Sequence, residues 1–131
     1  MAILFPEVQF HLVDSIGKKV KVAIEVANAI GLKNVTFRHC RAEEEKRKFD
    51  FVVSRAVMPL GDLIKIIRKT SDKNSIMSST TLICLKGGEL EQETMPVKHK
   101  TMLYDLKDEF TEDFFKTKKV VYVPSTVNNY R

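Results

Sequence analysis

The side chains of this sequence that could bind or react fall in four places: Asp14-Ser15, Cys40 to Glu43, Ser54-Arg55 and Lys86-Gly87. Each follows an apolar or alternating run. In open α/β sheets, ligands bind beyond the carboxyl ends of the strands, beside the point where strand order reverses. Asp14 is the sharpest of the set, because a carboxylate at a strand tip can accept both hydroxyls of a ribose. In dinucleotide folds such an acid lies about 20 residues past a glycine loop, and here that count runs off the front of the sequence. Asp14 or Ser15 reads equally well as a cap on the next helix. Arg55 can reach a carboxylate or phosphate, or form a surface ion pair. Lys86-Gly87-Gly88 would let backbone approach a ligand closely, although a glycine pair after a strand is more often only a turn.

Other chemistries find no support. His11, His39 and His99 have no metal-ligand spacing with one another or with the cysteines. His39 and Cys40, as neighbours, point to opposite faces of a strand. No metal site is expected. Nor is there a convincing Ser/His/Asp order, an activated cysteine or a P-loop, so no catalytic side chain is assigned.

The elements that must position these residues follow from periodicity. Val8, Phe10 and Leu12 alternate with Gln9 and His11 in a strand ending at Asp14. A helix follows, with Val20, Ala23, Ile24, Ala27 and Ile30 as one apolar stripe and Gly31 as its stop. A second strand runs from Val35 to His39. The run Glu43 to Lys48 reads as a solvated loop or helix turn. Phe49 to Ser54 is almost continuously apolar, as for a strand buried on both faces. Pro59 opens a helix at its first position, with Leu60, Leu63, Ile64 and Ile67 inward. Thr70 to Ser79 reads as a loop, Thr80 to Leu85 as a buried strand closed by Lys86-Gly87-Gly88, and Glu89 to Met95 as a short helix. Strands near Lys100 to Leu106 and Lys118 to Val123 end the pattern as an antiparallel pair. Strands alternating with helices mean a mostly parallel α/β sheet with helices on both faces. Residues 1–124 form the domain and 125–131 a polar tail.

The chain has 131 residues, 44% of them hydrophobic and 30% charged, which permits one domain with a real core and excludes a disordered chain. A net charge of +5 favours an anionic partner such as RNA, or reflects solvated lysines. Two cysteines, Cys40 and Cys84, without a secretory leader point to a reducing, cytoplasmic setting. The apolar start, Met1 to Phe5, is too short for a signal core or a membrane span.

Taken in order, the motifs resemble those of the glucose-inhibited division protein B family (the RsmG type). They are Leu12-Val13-Asp14-Ser15 with Gly17-Lys18-Lys19-Val20, then Arg41-Ala42-Glu43-Glu44, Val53-Ser54-Arg55-Ala56 and Leu85-Lys86-Gly87. The likeness runs from about Ala2 to Val123. It implies a class I, Rossmann-like methyltransferase fold, a mixed sheet with helices on both faces, and methylation of a guanine N7 in 16S ribosomal RNA using S-adenosylmethionine. By that analogy Asp14 holds the ribose region, Ala42 and Glu43 meet the adenine side largely through backbone, and Arg55 lies at the cofactor and substrate pocket. Lys18, Lys19 and Lys86 are candidate phosphate contacts to the RNA.

The sequence departs from the family in the loop Thr70 to Ser79 and the tail after Pro124, which look unlike it, and above all at its front, which lacks the family's N-terminal helical segment. The family's first strand and glycine-rich loop are missing, since none of the five glycines precedes Asp14. The chain is then a truncated product, a fragment of a longer reading frame, or a fold that closes the gap another way. Exposed sheet edges would favour self-association. A non-catalytic remnant that binds RNA or protein is the alternative function, and another nucleotide-binding module, such as a reductase domain, is disfavoured by the lack of GxGxxG.

Overall fold

The computed structural model describes residues 1–45, 47, 49–55, 59–69, 80–87 and 101–124, with the side chains of 67–69 excepted. The expected loop Thr70 to Ser79, the helix Glu89 to Met95 and the polar tail lie outside the described residues. The chain divides into two units, Met1–Glu45 and Lys46–Arg131.

The first unit is built from alternation and a well-terminated helix. Strand β1 (Phe10–Asp14) pairs in parallel with β2 (Val35–His39), from Phe10 opposite Val35 to Asp14 opposite His39. Parallel strands need a long crossover, and helix α1 (Gly17–Ala29) supplies it. At its start, Asp14 Oδ1 accepts the Ile16 N–H at 2.9 Å. At its end, the Gly31 N–H donates to the Asn28 carbonyl and the Leu32 N–H to the Ala27 carbonyl. With Gly31 at φ +72°, this is a Schellman stop, the role its position in the sequence implies.

The apolar stripe of α1 is only partly covered. Val20 and Ala27 are buried, while Ile24 and Ile30 face outward. Two strands about 5 Å apart make a surface narrower than a helix of about 10 Å with its side chains, so only the middle of the stripe finds a floor. Ahead of β1, Asn34 Nδ2 donates to the carbonyls of Ala2 (3.1 Å), Phe5 (3.1 Å) and Val8 (2.8 Å).

The second unit holds a four-stranded sheet in the order β3-β4-β6-β5. Strands β3 (Phe51–Arg55) and β4 (Thr81–Gly87) are parallel; β6 (Lys118–Val123) runs antiparallel to both β4 and β5 (Met102–Asp105). Helix α2 (Leu60–Lys69) begins one residue after Pro59, whose carbonyl accepts the Asp62 and Leu63 N–H groups. Pro59 therefore precedes the helix and is not its first residue. Leu60, Leu63 and Ile64 join Leu82, Cys84, Val121 and Val123 in one buried cluster, with Val52 packed against it.

Two sequence expectations change here. Strand β3 is not buried on both faces: Phe51 is 59% exposed and Val53 is also outward, while Val52 and Ser54 alternate with them. Its apolar run is that of an edge strand with one covered face. Lys86-Gly87 does not close β4 as a turn but continues it, opposite Lys119 and Lys118 of β6.

Candidate functional site

The site residues of the first unit gather where β1 and β2 both end. Parallel pairing puts Asp14 opposite His39, and the Cys40 N–H extends the ladder to the Asp14 carbonyl at 3.1 Å. Directly beyond lies a single 3-10 turn, Ala42–Glu44, closed by the Glu44 N–H to the Arg41 carbonyl (3.0 Å) and the Glu45 N–H to the Ala42 carbonyl (3.2 Å). The strand pairing thus brings Asp14, Ala42 and Glu43 to one end of one small sheet. Ala42 and Glu43 are exposed at that end, with the Ala42 carbonyl taken by the Glu45 N–H.

Asp14 stands just before α1, whose N-cap residue is Ile16 with no side-chain cap bond. One carboxylate oxygen caps the approach to α1 through Ile16. Nothing among the described residues bonds the other oxygen, which leaves acceptor capacity for vicinal hydroxyls. Lys18 and Lys19 stand exposed in the first turn of α1, where no acidic residue opposes them. Cations at a helix N-terminus add to the positive end of its dipole, so this end of the unit favours an anionic or electron-rich ligand. Gly17 belongs to the same geometry: a Cβ there would meet the His39 ring at 3.1 Å, and His39 Nε2 lies 3.0 Å from the Ser15 carbonyl oxygen. The glycine keeps the turn into α1 tight against the end of β2.

In the second unit, Arg55 ends β3 and is exposed, with its Cα opposite Leu85. Lys86, named with the phosphate contacts, is instead buried in β4 at 7% exposure. Enclosure of its stem and ammonium within the sheet takes it off the surface an RNA backbone would touch. Among the described residues no group of three His, Cys, Asp or Glu side chains could hold a metal ion. No helix among them is long and apolar enough to cross a membrane.

Sequence reasoning missed a polar cluster beside the candidate site. Glu45, placed by its sequence neighbours in a solvated charge run, is buried. Its Oε2 lies 2.9 Å from His11 Nε2, its Oε1 3.3 Å from an Arg38 guanidinium nitrogen, and His11 Nδ1 is 2.7 Å from Thr36 Oγ1. The signal that could have found it is register: His11 pairs with Thr36 across the parallel ladder, and Arg38 lies two residues further along the same face.

The family model described as rRNA small subunit methyltransferase G matches residues 1–121. The chain is 86% identical over 126 residues to the ribosomal RNA small subunit methyltransferase G of Phocaeicola vulgatus, covering 94% of this chain and 59% of that protein. It is 73% identical over 124 residues to the protein of that name from Bacteroides fragilis, covering 94% and 60%. The chain therefore spans about three fifths of the length of these relatives. Among solved structures, an rRNA methylase from Streptococcus thermophilus aligns with a TM-score of 0.58 at 10% identity, covering 88% of this chain and 73% of that one. A point variant of MtNAS in complex with S-adenosylmethionine aligns with a TM-score of 0.61 at 12% identity, covering 94% and 49%. At such low identity these two carry the fold alone, and that fold is the α/β arrangement with a mixed sheet expected from the sequence.

Proposed function

The chain belongs to the rRNA small subunit methyltransferase G family, and on that premise we propose that it is the cofactor-holding part of an enzyme that methylates a guanine N7 of 16S ribosomal RNA with S-adenosylmethionine. The observation that carries this reading is the meeting of Asp14, Ala42 and Glu43 at one end of the β1–β2 pair, in a chain matched by the family model over residues 1–121. The set fits a nucleoside: an open carboxylate oxygen for ribose hydroxyls, and the exposed residues Ala42 and Glu43 for an adenine edge.

Bound S-adenosylmethionine would supply a methyl group on a sulfonium, a strong electrophile. Guanine N7 already carries an in-plane lone pair, so no side chain has to act as a base. The work of the chain is then to position the reactants. Asp14 fixes the ribose and the Ala42–Glu44 turn fixes the adenine, while family resemblance assigns Arg55 of the second unit to cofactor and substrate binding. Orientation of this kind supplies up to about 7–11 kcal/mol in favourable cases. Lys18 and Lys19 hold the RNA backbone, and the target base is presented unstacked or in a loop. Residues 1–124 make up the methyltransferase part, the setting is cytoplasmic, and the outer edges of β1 and β3 favour self-association.

A second reading is a module that binds RNA without cofactor, favoured by one observation: the net charge of +5. Calorimetric titration of S-adenosylmethionine into the folded chain at neutral pH separates the two. Micromolar binding, weakened about tenfold by Asp14→Ala through loss of its hydrogen bonds, is the expected result. No heat of binding in a sample shown to be folded overturns the cofactor reading for this chain. Arg55→Ala would then change only salt-dependent RNA affinity, and modestly.

A further inference from the structure

A carboxylate is costly to bury unless it is paired and hydrogen-bonded. Glu45 is buried, its side chain 7% exposed, and it sits immediately after the Ala42–Glu44 turn. Both of its oxygens are engaged, one by His11 of β1 and the other by Arg38 of β2. A carboxylate only accepts, so the hydrogen of the shared bond is on His11 Nε2. In the neutral ring, Nδ1 then accepts from the Thr36 hydroxyl. This chain of contacts ties the far end of the turn to two adjacent strands. At its near end the turn is held by the strand ladder itself, through the Cys40 N–H to the Asp14 carbonyl. A short turn anchored at both ends has little freedom left.

We propose that Glu45, held by His11 and Arg38, is a positioning residue that fixes the Ala42–Glu44 turn in the conformation that receives the adenine ring. The inference rests on the cofactor reading above and adds to it: a contact made by backbone, as at Ala42 and Glu43, depends on the side chain that sets that backbone. The chemistry also specifies which replacement is tolerated. In Glu45→Gln the amide oxygen can face Arg38 and the amide nitrogen can donate to His11 Nε2. The ring then changes tautomer and donates from Nδ1 to Thr36. Every group keeps a partner. Glu45→Ala removes the tether, and His11→Phe keeps an aromatic ring there while deleting the bonds to Glu45 and Thr36.

The test uses the whole chain and two readouts. The first is amide hydrogen exchange at Glu44 and Glu45, whose bonds close the turn, with the middle of α1 as internal reference. The second is S-adenosylmethionine affinity by calorimetry. Glu45→Ala and His11→Phe are expected to speed exchange at both amides roughly tenfold with α1 unchanged, and to weaken binding by a similar factor. Glu45→Gln should restore both to near the starting values, which a generally destabilising role would not produce. Unchanged exchange in the turn overturns the proposal, as does faster exchange with unaltered affinity. If Glu45→Ala does not fold, His11→Phe carries the same comparison. A folded starting chain that binds no S-adenosylmethionine defeats the cofactor reading instead, and exchange alone then decides whether Glu45 sets the turn.

Discussion

The two units of this chain solve the same problem with different means. In Lys46–Arg131, side chains from α2, β4 and β6 close an apolar cluster in which Cys84 and Val121 are wholly enclosed. In Met1–Glu45, few apolar residues are buried (Val20, Ala27 and Cys40), and polar groups hold the unit together. These are the Asn34 amide, the His11–Glu45–Arg38 cluster and the backbone stop at Gly31. The candidate cofactor residues Asp14, Ala42 and Glu43 lie in the hydrogen-bonded unit. Apolar packing is non-directional and tolerates small shifts, whereas a hydrogen bond fixes distance and angle. A turn that presents backbone to a ligand gains from the second kind of constraint.

The comparison can be broken most directly in the apolar unit. Leu82→Ala removes a fully enclosed side chain and should cost about 2–5 kcal/mol, read by denaturant unfolding with exchange followed residue by residue. Loss of protection should centre on β4 and β6; an equal loss in α1 would mean that the two units do not differ in this way. A smaller effect tests the backbone device of the other unit. Gly31→Ala places a Cβ in left-handed conformation and should cost roughly 1–2 kcal/mol, with exchange quickening first at Gly31 and Leu32. No space constraint confuses the result, because a Cβ there meets nothing within 4 Å. Least of all should come from Lys119→Ala, which deletes the pair to Asp105 at 3.3 Å. Both partners are about a third exposed, so the expected change is about 0–1 kcal/mol and should vanish in high salt. A large loss there would show that polar contacts also govern the second unit.

What could be read from the sequence was whatever depends on near neighbours. The strand tips at Asp14 and His39, the Gly31 stop and the inward face Leu60, Leu63 and Ile64 all follow from local period and punctuation, and all are present. What could not be read depends on residues far apart in sequence. Glu45 lies in a run of charges, and nothing local distinguishes it from Glu43 or Glu44. It is buried because His11, 34 residues away, comes beneath it. Phe51 and Val53 look like core residues in any short window, yet their strand is at the end of its sheet. Lys86 looks like a surface cation and is buried because β4 continues past Leu85. The candidate site was legible in its strand-tip positions and not in the cluster that supports its turn.

Asn34 illustrates how much can depend on the identity of one atom. Its side-chain nitrogen faces three carbonyl oxygens, those of Ala2, Phe5 and Val8. Aspartate has the same outline as asparagine but offers oxygen where the amide offers N–H. The substitution Asn34→Asp would therefore turn three attractions into three repulsions without altering the outline of the side chain. The first eight residues would lose their side-chain tie to the start of β2 through the exchange of a single atom.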